Sequence, residues 1–307
     1  MPGTHNNKSQ VVWACWGEEG TAEAVTLFAA SLRRYGGSMA GCPVSVYVPQ
    51  EKLSAWLPAR EKWDKLGVEV RPFSAPPGAL AFPYAAKPLA AAQAEAEAAA
   101  CETLVWFDAW SLAAGNLEPL RLKEGEDLAY RPVEVLNIGC PAGEAPDAFW
   151  SQIYQVFDLA PDAAFPMVTT CDRRPVRAYI NAAMLAVRPG LGLLAAWREA
   201  FLRLLQQEAW QTLFDAVPDR AYFFHQAVLT GLILARLSPA RMRELPHTAS
   251  YPLHLQERMP EGVRVNRLSD LLLCRYYDFF EAPEWPAALA LNDDQRAFLA
   301  EHGIRDQ

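Results

Sequence analysis

The sequence predicts an α/β protein with a mostly parallel central sheet flanked by helices, on three observations. Short apolar runs rich in β-branched and aromatic residues alternate with helical segments from Val11 to Phe107, an order that implies parallel strands joined by right-handed crossovers. The chain has 307 residues, 51% of them hydrophobic and 21% charged, enough to bury a large core. The apolar run Leu104–Phe107 has the length of a buried strand and stops abruptly on a carboxylate, Asp108.

Taken in order, Val11–Trp16 is all apolar or small and reads as a buried strand, followed by the polar turn Gly17–Gly20. In Thr21–Tyr35, Val25, Leu27, Phe28 and Leu32 recur at helical spacing. Acids gather at the start of this helix, Arg33 and Arg34 lie at its end, and Gly36-Gly37 stops it. Val44–Val48 alternates as a strand, Gln50–Leu66 reads as a helix broken near Pro58, and Val68–Val70 is a short strand. The proline-rich connection Pro72–Pro83 leads to an alanine-rich helix, Pro88–Ala100, whose Ala, Gln and Glu content makes it locally strong. Beyond Leu120, Asp127–Ile138 contains a strand and Pro146–Asp158 an amphipathic helix with Phe149, Trp150, Ile153, Tyr154 and Phe157 on one side. Pro161–Arg177 reads as a loop, Ala178–Val187 as a strand, and Gly190–Glu208 and Arg220–Leu237 as helices. Pro246–Gln307 mixes Pro, His and aromatics without a clean period and reads as a covering layer within a single domain, 1–307.

Charge excludes some functions. Lys and Arg total 28 against 36 Asp and Glu, a net charge of -8, and no basic run is long enough to track a phosphate backbone. Neither nucleic acid nor an anionic membrane is an expected partner. The six cysteines form no Cys-x-x-Cys pair and are expected to be reduced. The opening MPGTHNNKSQ is polar, and no apolar run is long enough to span a membrane, so the expected location is cytoplasmic.

An acid at the carboxyl end of a strand has two explanations. In open α/β sheets that end faces the ligand crevice; alternatively, Asp108 caps the following turn by accepting from backbone amides.

The segments VVWACWGEEGTAEAVTLFAASLRRYGG, PYAAKPLAAAQAEAEAAACETLVWFDAW, YINAAMLAVRPGLGLLAAW and FFHQAVLTGLI, in that order, resemble the nucleotide-diphospho-sugar transferases of the GT-A fold from about Val11 to about Leu237. The resemblance implies a Rossmann-like, nucleotide-binding half (11–120), an acceptor half (121–245) and a covering segment (246–307). In that family an Asp-x-Asp element at a strand end holds a divalent cation, manganese or magnesium, against the donor diphosphate. Asp108 matches its first position, but Trp110 stands at the second and cannot coordinate a cation. A carboxylate from elsewhere, or His247 or His254, could complete the shell, although each of those histidines is more often a surface or hydrogen-bonded residue than a ligand. The family's Asn-x-Gly at the acceptor appears here as Asn181-Ala182-Ala183, and its Asp-Gln as His225-Gln226.

The resemblance therefore implies donor contacts from Ala14, Cys15 and Trp16, from Lys87 and from Asp108 with Trp110, and acceptor contacts from Asn181, His225 and Gln226. Asp108, Asn181 and His225 are the candidate catalytic residues. His225 can serve as base or hydrogen-bond partner, or can simply pack beside Tyr222, Phe223 and Phe224. Glu18 or Glu19 can accept from ribose hydroxyls, or merely complement a helix dipole. Arg173, Arg174 and Arg177 precede the Asn181 strand and suit phosphate oxygens, or are solvated loop charges. Two functions follow: a glycosyltransferase using a nucleotide-sugar donor and an unspecified acceptor, or a GT-A-like module that binds nucleotide or glycan without transfer.

Overall fold

The computed structural model describes residues 11–160 and 162–305; the N-terminal decapeptide read above as polar lies outside them. The strands are Val11–Trp16 (β1), Val44–Pro49 (β2), Val68–Phe73 (β3), Thr103–Phe107 (β4), Ser111–Ala113 (β5) and Leu128–Pro132 (β6). Pro166–Val168 (β7), Pro175–Arg177 (β8), Ile180–Val187 (β9), Met242–Glu244 (β10), Tyr251–Pro252 (β11) and Leu273–Arg275 (β12) follow. The helices are Ala22–Tyr35 (α1), Arg60–Leu66 (α2), Ala86–Glu97 (α3), Ala148–Val156 (α4), Leu193–Leu205 (α5), Ala209–Ala216 (α6), Asp219–Arg236 (α7), Trp285–Ala288 (α8) and Asp293–Glu301 (α9).

Among the described residues seven strands form the central sheet, in the order β10-β6-β9-β4-β1-β2-β3. Pairings are parallel except for β9, which runs antiparallel to both β4 and β6. All eight residues of β9 are buried, because both its faces and both its edges are covered. The mostly parallel sheet flanked by helices is the predicted one.

Helix α1 is held at both ends. The Thr21 hydroxyl donates to the Glu18 carbonyl at 2.8 Å, and Arg33 donates to the carbonyls of Ala40 (2.6 Å), Cys42 (2.8 Å) and Leu66 (2.8 Å), so a residue read as a dipole partner also ties down two loops. Helix α3 packs on the sheet and on α5. Ala90, Ala91 and Ala94 are buried there, which gives its alanines a packing reason beyond propensity: small side chains let two elements approach one helix.

The break read near Pro58 is present, and two features depart from the sequence reading. Gln50–Ala59 is 3-10 helix and α2 begins only after Pro58, whose missing N–H and ring forbid a regular helix through that point. The presumed loop Pro161–Arg177 contains the β7–β8 hairpin, whose three-residue strands are too short to show a period. The C-terminal segment also has defined structure: β11 pairs with β12, β12 pairs antiparallel with β5, and α9 starts with a capping box between Asn292 and Gln295. The segment lacks a clean period because it buries side chains piecemeal against α1. Ala24 and Leu27 of α1 join Leu112, Tyr251, Cys274, Trp285 and Phe298 in one cluster, while Val25, Phe28 and Leu32 face the sheet.

On α7, Phe224 is fully buried with ring centroids of Trp210, Phe214 and Phe201 at 4.9, 5.1 and 5.8 Å. Each such pair contributes about 0.5–1.5 kcal/mol beyond area burial, which fixes the rotation of α7 and hence the direction of the next two residues. No described helix is long and apolar enough to cross a membrane.

A Cβ at Gly231 of α7 would lie 2.5 Å from Phe157 Cδ2 and 2.9 Å from Ile153 Cγ2. Gly231→Ala therefore opposes a helix-propensity gain of about 1 kcal/mol with an overpacking cost of about 1–3 kcal/mol. Net destabilisation is expected in urea melts; a more stable variant would show that α4 can retreat without cost.

Candidate active site

The turn after β4 satisfies both explanations of Asp108. Its Oδ1 accepts from the Trp110 amide at 3.2 Å, capping the turn, while Oδ2 accepts from the Tyr277 hydroxyl at 2.9 Å and from Lys87 Nζ at 3.4 Å. The Asp108 and Lys87 side chains are only 10% and 12% exposed. Burial alone would raise the Asp108 pKa; Lys87, Arg275, the Trp110 amide and the Tyr277 hydroxyl outweigh it and hold the carboxyl below its ordinary value, so it is ionised at neutral pH.

From there a chain of polar contacts runs inward. Tyr277 lies two residues beyond Arg275, the last residue of β12, and Arg275 pairs with Glu134. Both Glu134 oxygens accept from the Asn181 amide nitrogen, at 2.8 and 2.6 Å, and the Asn181 amide oxygen accepts from the Ala183 amide at 2.8 Å. The two oxygens of one carboxylate share a single Asn181 N–H, so the residue orients Glu134 while its second amide hydrogen has no part in that contact.

Two cavities meet at this chain. The smaller, about 40 Å³, is lined by Trp16, Glu18, Tyr84, Lys87, Asp108 and Tyr277 among others, and has room for about one water molecule. The larger, about 380 Å³, is lined by Lys87, Glu134, Asn181, His225, Arg275 and Tyr277 among others. Tyr84, Lys87 and Tyr277 belong to both. Tyr84 and Tyr277 have positive φ angles of 55° and 41°, uncommon for bulky residues and a sign of local backbone strain. The hydroxyls of Tyr84 and Tyr222 hydrogen-bond to each other at the mouth.

His225 is 3% exposed. Its Nδ1 lies 3.2 Å from the Tyr222 carbonyl, an acceptor, which assigns the ring proton to Nδ1 and the lone pair to Nε2. Burial, then the charge of Lys87, pushes its pKa well below the usual histidine value, so the ring is neutral at neutral pH. Gln226 also lines the larger cavity, and its Oε1 accepts from the Ala182 amide at 2.9 Å. Ala183, where the resemblance expects Gly, places its methyl on the same wall.

Not every candidate reaches the site. Ala14 and Cys15 are fully buried within a strand paired on both sides, so of that trio only Trp16 meets the smaller cavity. Glu18 sits at that cavity's rim, its pKa raised by desolvation and by Asp108, whereas Glu19 lines a separate depression with Gly20 and Trp56. The arginine cluster does not converge on either cavity: Arg173 and Arg174 are exposed around the hairpin turn, and Arg177 donates to the Glu144 carbonyl at 3.0 Å. The hairpin carries these charges outward. His247 lies near Arg131 and Arg173. His254 reaches the larger cavity, but its ring packs edge-on against Tyr277 at 4.6 Å, and burial takes its pKa down to about 4.

A divalent cation does not fit the side chains present. Among the described residues no three His, Cys, Asp or Glu are grouped to hold one. Both Asp108 oxygens are already engaged, and the Trp110 indole is turned away from the cavity onto Tyr276, ring centroids 5.8 Å apart.

Sequence reading missed Glu134, Arg275, Tyr84 and Tyr277. One signal was present for Arg275: it is a lone charge inside the apolar and aromatic run Leu271–Tyr277, a placement that implies a buried, paired charge.

Residues 14–230 match a family model described as the Rhodobacterales glycosyltransferase domain. A search of curated proteins finds no match. Among solved structures, the apo bifunctional glycosyltransferase WbbM aligns at a TM-score of 0.52 and 10% identity over 94% of this chain and 52% of its own, so the chain spans about half of that protein's length. The galactosyltransferase LgtC, in complex with donor and acceptor sugar analogs, aligns at 0.47 and 12% identity over 86% of both chains. GlyE of Streptococcus pneumoniae TIGR4 aligns at 0.47 and 14% identity over 88% of this chain and 55% of its own. The family model covers most of the chain and the WbbM alignment extends over nearly all of it: the protein belongs to the Rhodobacterales glycosyltransferase domain family and has the GT-A fold.

Proposed function

We propose that the protein transfers a sugar from a nucleotide-diphosphate-sugar donor to a hydroxyl of an acceptor. The observation that carries this reading is the Asp108–Lys87 ion pair at the carboxyl end of β4, with Asp108 on the smaller of two adjoining cavities and Lys87 on both. The donor's diphosphate lies toward Lys87, whose ammonium Asp108 holds in place, and the acceptor occupies the larger cavity beside His225 and Gln226. The bond between the sugar's anomeric carbon and the phosphate oxygen breaks with its electron pair on oxygen. The acceptor oxygen bonds to that carbon, and its proton passes to Nε2 of His225. We place the protein in the cytoplasm, a reading supported by six cysteines that form no disulfide.

Purified protein incubated with a panel of nucleotide sugars should release nucleoside diphosphate, and Lys87→Met should lower that rate by about 10²-fold or more, as removal of a cation aimed at the charge developing on the leaving group does. Nucleotide binding without turnover in any pairing of donor and acceptor would instead return the binding-module reading.

The pH profile offers a second check. Because the folded-state pKa of His225 is depressed, Nε2 keeps its lone pair as pH falls through 6.5, and the acid limb of acceptor-dependent turnover is expected below that value. A limb centred at 6.5, or one unchanged in His225→Gln, would remove His225 as the base.

A further inference from the structure

We infer that the donor's diphosphate is held by two protein cations, Lys87 and Arg275, in the place where the fold elsewhere uses a divalent metal ion; this rests on the donor reading proposed above. The second carboxylate of an Asp-x-Asp pair is absent, and the residue there, Trp110, packs its indole on Tyr276. The charge that remains balances without a metal. Asp108 and Glu134 contribute two negative charges, Lys87 and Arg275 two positive ones, the same sum as two aspartates with one divalent cation.

Both cations retain donor capacity. Lys87 has three N–H groups, directs one toward Asp108 at 3.4 Å, and lies over the Tyr84 ring at 4.7 Å from its centroid. The Arg275 side chain is 5% exposed, lines the larger cavity, and has a buried Nε with no hydrogen-bond partner. A buried guanidinium N–H left unmade is costly, and a shift of the side chain that turns Nε into the cavity would let a phosphate oxygen satisfy it. Lys87 lines both cavities and Arg275 the larger, with Tyr277 between them, so the two cations flank the passage a diphosphate must occupy. As the anomeric carbon–oxygen bond breaks, the diphosphate gains one negative charge, and fixed cations in a water-poor site stabilise that charge with little reorganisation.

Calorimetric titration of the full chain with UDP, GDP, ADP and CDP, in EDTA and in manganese, tests this. At least one should bind in EDTA with a Kd within about tenfold (1.4 kcal/mol) of its value in manganese. The double variant Glu134→Gln/Arg275→Gln removes both members of the buried pair, so that neither charge is stranded; it should weaken that diphosphate by about tenfold or more and leave the matching monophosphate unchanged. If the double variant fails to fold, Arg275→Lys, which keeps the charge but loses Nε, should weaken the diphosphate selectively. Binding in manganese alone would overturn the inference and leave the donor reading standing. Unaltered diphosphate binding in a folded variant would also overturn it, and no binding under either condition would overturn both.

Discussion

Asp108 is an ionised carboxylate taken almost entirely out of water, and the rest of the site answers that constraint. An isolated buried charge costs several kcal/mol or more, whereas one that is paired and fully hydrogen-bonded is tolerated. Lys87, the Trp110 amide and Tyr277 supply the partners. Arg275, buried nearby, needs its own counter-charge and finds it in Glu134, which Asn181 then holds by both oxygens. One buried charge thus organises residues from α3, the turn after β4, the end of β6, β9 and the segment around β12.

The arrangement depends on a short strand. β5 begins directly after the Asp108 turn and pairs with β12 so that Arg275 stands opposite Ser111. The Tyr276 amide bonds to the Trp110 carbonyl at 3.0 Å, which fixes Arg275 and Tyr277 against the turn. The C-terminal segment therefore does more than cover the sheet: it delivers a cation and a phenol to the carboxylate. Trp110 contributes by anchoring this contact with its ring on Tyr276. A residue that departs from the metal-binding pattern is in this way part of the interaction that brings Arg275 in.

Helix α7 and β9 position the other side of the site. The aromatic cluster around Phe224 sets the helix rotation, His225 meets the larger cavity, and Gln226 ties the helix to the backbone of β9 through Ala182. The Trp197 indole fixes the same turn by donating to the His225 carbonyl at 2.8 Å. The base proposed for transfer is thereby kept neutral by burial and aligned by packing, without a carboxylate behind it.

The alternation of apolar runs with helical segments was sufficient to determine the sheet class, the strands β1, β2, β4 and β9, and the placement of Asp108 at a strand end, because local periodicity and chain order encode these directly. Lys87, Asn181, His225 and Gln226 were legible only through the resemblance to the GT-A transferases, which matches them to positions at the donor and acceptor. What local pattern could not encode was which charges would meet. Arg173, Arg174 and Arg177 lie close to Asn181 in sequence, yet a hairpin turns them outward. Arg275 lies far from Asp108 in sequence, yet the pairing of β12 with β5 brings it in. Partners of a buried charge are chosen by long-range strand pairing and by the need to leave no charge alone, and only the tertiary structure decides that.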